Sequence, residues 1–155
     1  MIPTVNAPTA GAPTAHPIDA LAQAWVPLRP GLSFRPLHFA EDGYDLQLRV
    51  EPGTLIPRHR HSGEVHAYTL SGSREIIETG EIIGPGVFVH EPAGNVDSWR
   101  TVGDEPCVIH ISLTGDIDYL DEQGQVTGTT NSASARAAYL AWCAAQGVAP
   151  HPALA

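Results

Sequence analysis

The sequence predicts an all-β single domain, a β-sandwich or small closed barrel, with an N-terminal arm and a C-terminal helix. Three observations carry that prediction. Between Leu32 and Leu113, short apolar runs are broken by turn residues at about every 8–12 positions, with no helical period between them. Asp45, Gln47 and Arg49 alternate with Leu46, Leu48 and Val50, the period of a strand with one wet face. Sustained helical spacing appears only after residue 130.

Residues 1–17, MIPTVNAPTAGAPTAHP, are rich in Pro, Ala and Thr and have no apolar period, so they read as a flexible arm or one laid on a neighbouring surface. A helical turn is expected near Ile18–Trp25, ended by Pro27 and Pro30. Strands are expected at Leu37–Phe39, Tyr44–Val50, Val65–Ser71, Glu75–Glu78, Gly86–Glu91, Trp99–Val102 and Cys107–Leu113. The turns between them include Glu51-Pro-Gly, Ser62-Gly-Glu, Gly84-Pro-Gly and Pro92-Ala-Gly-Asn. A helix then runs from Asn131 to about Gln146, capped by Ser132 or Ser134 and closed by Gly147 and Pro150. Its stripe of Tyr139, Trp142 and Cys143 packs on the barrel or on a second subunit. The expected organisation is therefore an arm over 1–17, a barrel over 18–125, and a helix with tail over 126–155.

Composition narrows the function classes. A length of 155 residues suits one domain with a real core. The formal charge of −9 disfavours nucleic acid and anionic membrane, and an anionic substrate needs positive charge concentrated at its site. No apolar run approaches the roughly 18 residues that span a bilayer, and the first residues lack the order of a signal peptide, so a cytoplasmic location is expected. Cys107 and Cys143, the only cysteines, read as free thiols. Exposed sheet edges and the apolar helix stripe predict a homodimer or homotetramer.

One stretch nominates a chemistry. Pro57-Arg-His-Arg-His-Ser-Gly-Glu-Val-His66 crowds three imidazoles into eight residues, and Pro92-Ala-Gly-Asn-Val-Asp97 places a carboxylate behind a later turn. Residues two apart on a strand share a face, so His59 and His61 point together. The Ser62-Gly63-Glu64 turn follows, and His66 opens the next strand with Tyr68 and Leu70 on its face. If that face is interior, His59, His61 and His66 converge, and imidazole clusters select transition metals over calcium or magnesium. His59, His61 and Asp97 would make a two-histidine, one-carboxylate face, with His66 a fourth ligand or a donor behind it. Asp97 is otherwise a turn residue bonded to nearby backbone. Glu91 is either a proton acceptor beside the metal or a solvated strand end, and Tyr68 either lines the cavity or packs the barrel. Trp99 shares Asp97's parity and points inward as a pocket wall or core filler. His90 falls outside, His110 is an ordinary strand residue, and Arg58 and Arg60 face solvent or a partner.

These residues carry a resemblance. Gly53-Thr-Leu-Ile-Pro-Arg-His59-Arg-His61, with His66 and Gly72 after it, resembles the first cupin motif, and Gly86-Val-Phe-Val-His-Glu-Pro92-Ala-Gly94-Asn-Val-Asp97 resembles the second. The resemblance implies a double-stranded β-helix, or jelly-roll, barrel. More narrowly, His59 to Gly72, Glu91 to Gly94 and Asp118 to Gly128 are similar to 2,4'-dihydroxyacetophenone dioxygenase and acetylacetone dioxygenase-like cupins. That likeness implies cleavage of a C–C bond next to a carbonyl by non-haem Fe(II) and O₂. In cupins generally, Glu stands where this chain has His66 and His where it has Asp97, so the carboxylate has moved across the site.

The function expected is thus a metal-dependent dioxygenase acting on a small diketone or hydroxyketone with O₂. His59, His61, His66 and Asp97 hold the metal, Fe(II) first and Zn, Ni or Mn as alternatives, with Glu91 and Tyr68 as catalytic candidates. The rivals are a non-redox metal cupin, acting as isomerase or lyase, and a non-catalytic ligand- or metal-binding cupin like those of some anti-sigma factors.

Overall fold

The computed structural model describes residue 11 and residues 13–155; most of the expected arm, residues 1–10 and 12, lies outside them. Twelve strands follow a short 3-10 turn at Ala20–Ala22, which Asp19 caps by accepting from the Leu21 amide at 3.0 Å. They are β1 (Val26–Arg29), β2 (Leu32–Phe39), β3 (Gly43–Val50), β4 (Leu55–His61), β5 (Val65–Ser71) and β6 (Ser73–Ile76), then β7 (Ile82–Ile83), β8 (Phe88–Glu91), β9 (Val96–Val102), β10 (Cys107–Thr114), β11 (Ile117–Leu120) and β12 (Val126–Thr130). Helix α1 (Ser132–Gln146) closes the order. No described helix is long and apolar enough to cross a membrane.

The strands form two six-stranded antiparallel sheets, β1-β2-β3-β10-β5-β8 and β12-β11-β4-β9-β6-β7. Phe34, Leu46, Val50, Val65, Ile109 and Trp99 from their facing sides make one core, as the alternating pattern requires. The all-β barrel with a C-terminal helix is therefore as expected. Three details differ. Pro27 does not stop an element but sits in β1, an edge strand, the part of a sheet where proline is tolerated. Residues 126–130, expected with the helix, pair with β11 as β12. Their side chains are almost all exposed, so no apolar alternation marks them. The helix cap is Asn131, whose side chain accepts from the Ser134 amide at 3.0 Å while Ser134 Oγ accepts from the Asn131 amide at 2.9 Å, a reciprocal capping box. Ser132 Oγ instead donates to Ala40 O at 2.6 Å and ties the helix to the end of β2.

Two local irregularities position the site. In β4, Ile56 pairs with Trp99 and His59 with Asp97, so three steps on β4 oppose two on β9. This bulge at Pro57–Arg58 reverses parity, and Ile56, His59 and His61 all end up buried. At the β5–β6 turn, Gly72 has φ +68°, and a Cβ there would lie 2.7 Å from Cys107 Cα and against Pro106 O. Only glycine lets the chain turn so close to β10. Helix α1 buries Ala135, Tyr139 and Cys143 against β1 and β2. Beyond Gly147, the His151 amide donates to Tyr139 Oη at 2.8 Å, and Leu154 is buried.

Candidate metal centre

The interior site starts from the bulge. Besides turning His59 inward, it leaves the Pro57 carbonyl 2.8 Å from His59 Nδ1. A carbonyl only accepts, so Nδ1 carries a proton, and the ring turns Nε2 to the interior, 3.7 Å from Asp97 Oδ1. Fixing one ring nitrogen by a backbone carbonyl is how proteins aim a metal-ligating imidazole. His61 is 6% exposed, and its ring meets that of His59 edge-on with centroids 4.9 Å apart. Its Nδ1 is buried without a hydrogen-bond partner. Burial first, then His59, lowers its pKa to about 4, so it is neutral with a lone pair to give.

Two carboxylates and a guanidinium complete the set. Glu91, buried at the end of β8 opposite Val65, accepts from Asn95 Nδ2 at 2.7 Å. The same nitrogen donates to Asp97 Oδ2 at 3.3 Å, so one amide spans both acids. Burial, then the neighbouring Glu91 charge, raises the Asp97 pKa. Arg74, only 4% exposed, lies with its Cζ 5.0 Å from the centre of the Trp99 ring, and its Nε has no partner. Burial lowers its pKa while the carboxylates of Glu91 and Asp97 oppose the shift; the guanidinium remains charged.

These groups line a cavity of about 430 Å³. Phe34, Leu46, Trp99, Ile111 and Tyr119 supply apolar wall, Ala135 and Ala138 of α1 supply a smooth side, and His59, His61, Arg74 and Glu91 supply the polar part. Asp97 opens onto a second hollow of about 400 Å³, which shares Arg74 and Glu91 with the first.

The expected residues thus divide. His59, His61, Glu91 and Asp97 come together, and Trp99 points inward as its parity implied, where it lines the cavity. His66 and Tyr68 do not join them, which corrects the expectation that their face is interior. On β5 it is Val65, Ala67 and Thr69 that are buried, so the intervening His66 and Tyr68 (43% exposed) stand on the outer face. The Ser62-Gly63-Glu64 turn resets parity between the two strands. His90 lies outside, Arg58 is exposed, and Arg60 pairs with Asp118 at 3.2 Å. Cys107 and Cys143 are free and buried. Arg74 was not foreseen; its clue is that it shares parity with the apolar Ile76 two residues on.

Outside the barrel, Glu64, His66 and His90 could hold a metal ion: among the described residues this is the trio whose ligand atoms all lie within 4.8 Å of one another. The interior donors are spread wider. Even so, two buried imidazoles, one with an orphaned ring nitrogen, beside two carboxylates form a donor set that fits a divalent transition metal.

A double antiparallel barrel with a buried histidine pair and an acid on the facing strand is the architecture of a cupin. Residues 14–115 match the ChrR cupin-like domain family, and the chain belongs to it. By sequence, no curated protein matches. Among solved structures, the chain is similar to an RmlC-like cupin protein of Ralstonia eutropha, with TM-score 0.84 and 22% identity over 90% of this chain and 94% of that one. It is also similar to an acetylacetone dioxygenase of Acinetobacter johnsonii, with TM-score 0.72 and 17% identity over 89% and 98%. A polyketide cyclase of Streptomyces resistomycificus aligns at TM-score 0.57 and 19% identity over 76% and 85%. At these identities the likeness is one of fold.

Proposed function

We propose that the chain is a metal-dependent dioxygenase that cleaves a C–C bond next to a carbonyl in a small, largely apolar diketone or hydroxyketone. The observation that carries this reading is the cavity: mostly apolar wall, with His59, His61, Glu91 and Arg74 facing into it. The fold likeness to an acetylacetone dioxygenase supports it. In this reading His59, His61 and Asp97 hold the metal, Fe(II) first. Bound there, the ion supplies Lewis acidity and one-electron redox capacity.

The chain's own groups do the rest. Glu91, held by Asn95, takes the acidic proton of the substrate. Arg74 offsets the negative charge that this leaves on the substrate oxygen, and does so in a buried setting where charge is weakly screened. The apolar walls keep water out. Both atoms of O₂ end in the two cleavage products, so no further reductant is needed.

The test is oxygen consumption by metal-stripped protein reloaded with Fe(II), offered β-diketones and hydroxyketones. Iron-dependent uptake that His59→Ala abolishes is the expected result. Iron binding without uptake on any such substrate overturns it. Stoichiometric zinc with no uptake would favour a second reading, a non-redox Lewis-acid cupin, which the likeness to a polyketide cyclase supports.

A further inference from the structure

The parity change that removes His66 from the cavity gives it other company. His66 on β5 and His90 on β8 are direct cross-strand partners on the outer face. Their rings stack with centroids 5.1 Å apart and planes 20° from parallel. Phe88, two residues before His90 on the same face, also stacks with His66, at 6.1 Å and 17°. Glu64 precedes His66 by two residues and reaches the same spot, its Oε1 3.1 Å from His90 Nε2. The imidazole of His66 thereby packs against two flat rings, and the carboxylate already touches the second imidazole.

We propose that Glu64, His66 and His90 form a second metal site, on the outer face of the barrel, that takes a borderline divalent transition ion such as Zn²⁺. Three convergent donors of this kind are the nitrogen and oxygen ligands that zinc accepts, and a fourth, solvent-facing position remains open for water. All three side chains are exposed, so few apolar contacts depend on them and the ion needs no entry path. The site spans two strands, and β8 is an edge strand of its sheet. A bound ion therefore clips that edge to β5 and, through Glu64, to the turn that follows the buried His61. Glu91, the interior acid, ends the clipped strand. The site is separate from the interior donors and does not rest on the proposed dioxygenase activity.

The experiment is calorimetric titration of chelator-stripped protein with Zn²⁺ alone, in wild type, in His66→Gln/His90→Gln and in His59→Gln/His61→Gln. The outer variant should lose one equivalent of zinc and part of the rise in Tm that zinc produces. The inner variant should keep the outer equivalent. If the outer variant binds as many equivalents as wild type, with the same affinity, the site does not exist and the Glu64–His90 contact is an ordinary surface hydrogen bond. Because the outer residues are solvated, an unchanged far-ultraviolet dichroism spectrum will show that the variant is folded. Should the inner variant fail to fold, the difference between wild type and the outer variant still decides the matter. A failure of the interior reading shows differently, as zinc retained in full by the inner variant.

Discussion

His59 Nε2 and Asp97 Oδ1 stand 3.7 Å apart across the β4–β9 ladder, at the register position that the bulge at Pro57–Arg58 creates. Were β4 a regular strand, Ile56 and His59, three residues apart, would fall on opposite faces. The pair would then not exist.

If this pair is part of a metal site, Asp97→Asn removes a charge while keeping shape. Interior metal affinity should fall by at least about tenfold, the lower end of what even supporting residues contribute. Asp97→His is the informative companion. A gain in iron affinity would mean that Asp97 is a poor ligand in this position, whereas loss would mean that it is a working one. Metal content by mass spectrometry after dialysis reads both.

Arg74 and a divalent ion draw on the same carboxylates, Glu91 and Asp97. Arg74→Met should therefore destabilise the metal-free protein, on the order of 3 kcal/mol, because it leaves buried negative charge unbalanced. The same variant should show a larger rise in Tm on adding metal than wild type does. Thermal scans with and without the ion test the two halves; a smaller metal-induced rise would show that Arg74 helps to hold the site rather than compete for it.

Burial pushes the Cys107 thiol up to about 11 from its ordinary 9.0, with the Arg74 charge partly opposing the shift. The folded state thus holds this proton more tightly than the unfolded chain. That contribution is complete below pH 9 and is lost as pH rises from 9 through 11, on the order of 3 kcal/mol. The urea midpoint should drop across that window, and less so in Cys107→Ala. At pH 8, iodoacetamide should leave Cys107 unmodified until the protein is denatured.

Asn131→Ala breaks the capping box at the start of α1. A cost of about 1 kcal/mol is expected from denaturant midpoints. Ser134, Ala135 and Ala138 of the same helix line the cavity, so ligand affinity should weaken along with stability.

How much of this was legible from sequence follows strand parity. The β3 and β5 strands could be read because alternate residues are apolar and buried, and helix α1 could be read from its period and its Gly147 stop. Strands β11 and β12 were missed because their side chains are half-buried or exposed and give no alternation. The same rule placed His59 and His61 together and brought Trp99 inward. It failed at His66 because parity holds only within a strand: a three-residue turn separates β4 from β5, and its geometry is not written in residue types. Arg74 is marked as inward only by Ile76, two residues on in the same short strand, and one apolar residue is too little alternation to read.

The small side chains that α1 turns to the cavity have a wider consequence. The groups capable of chemistry lie on β4, β6, β8 and β9, whereas the helical wall comes from a separately capped segment more than thirty residues downstream of Asp97. Reactivity and choice of guest are encoded on different stretches of the chain. Enlarging Ala138 would reshape the chamber without touching a histidine, so new preferences can arise, by mutation or by design, at no cost to the reactive groups.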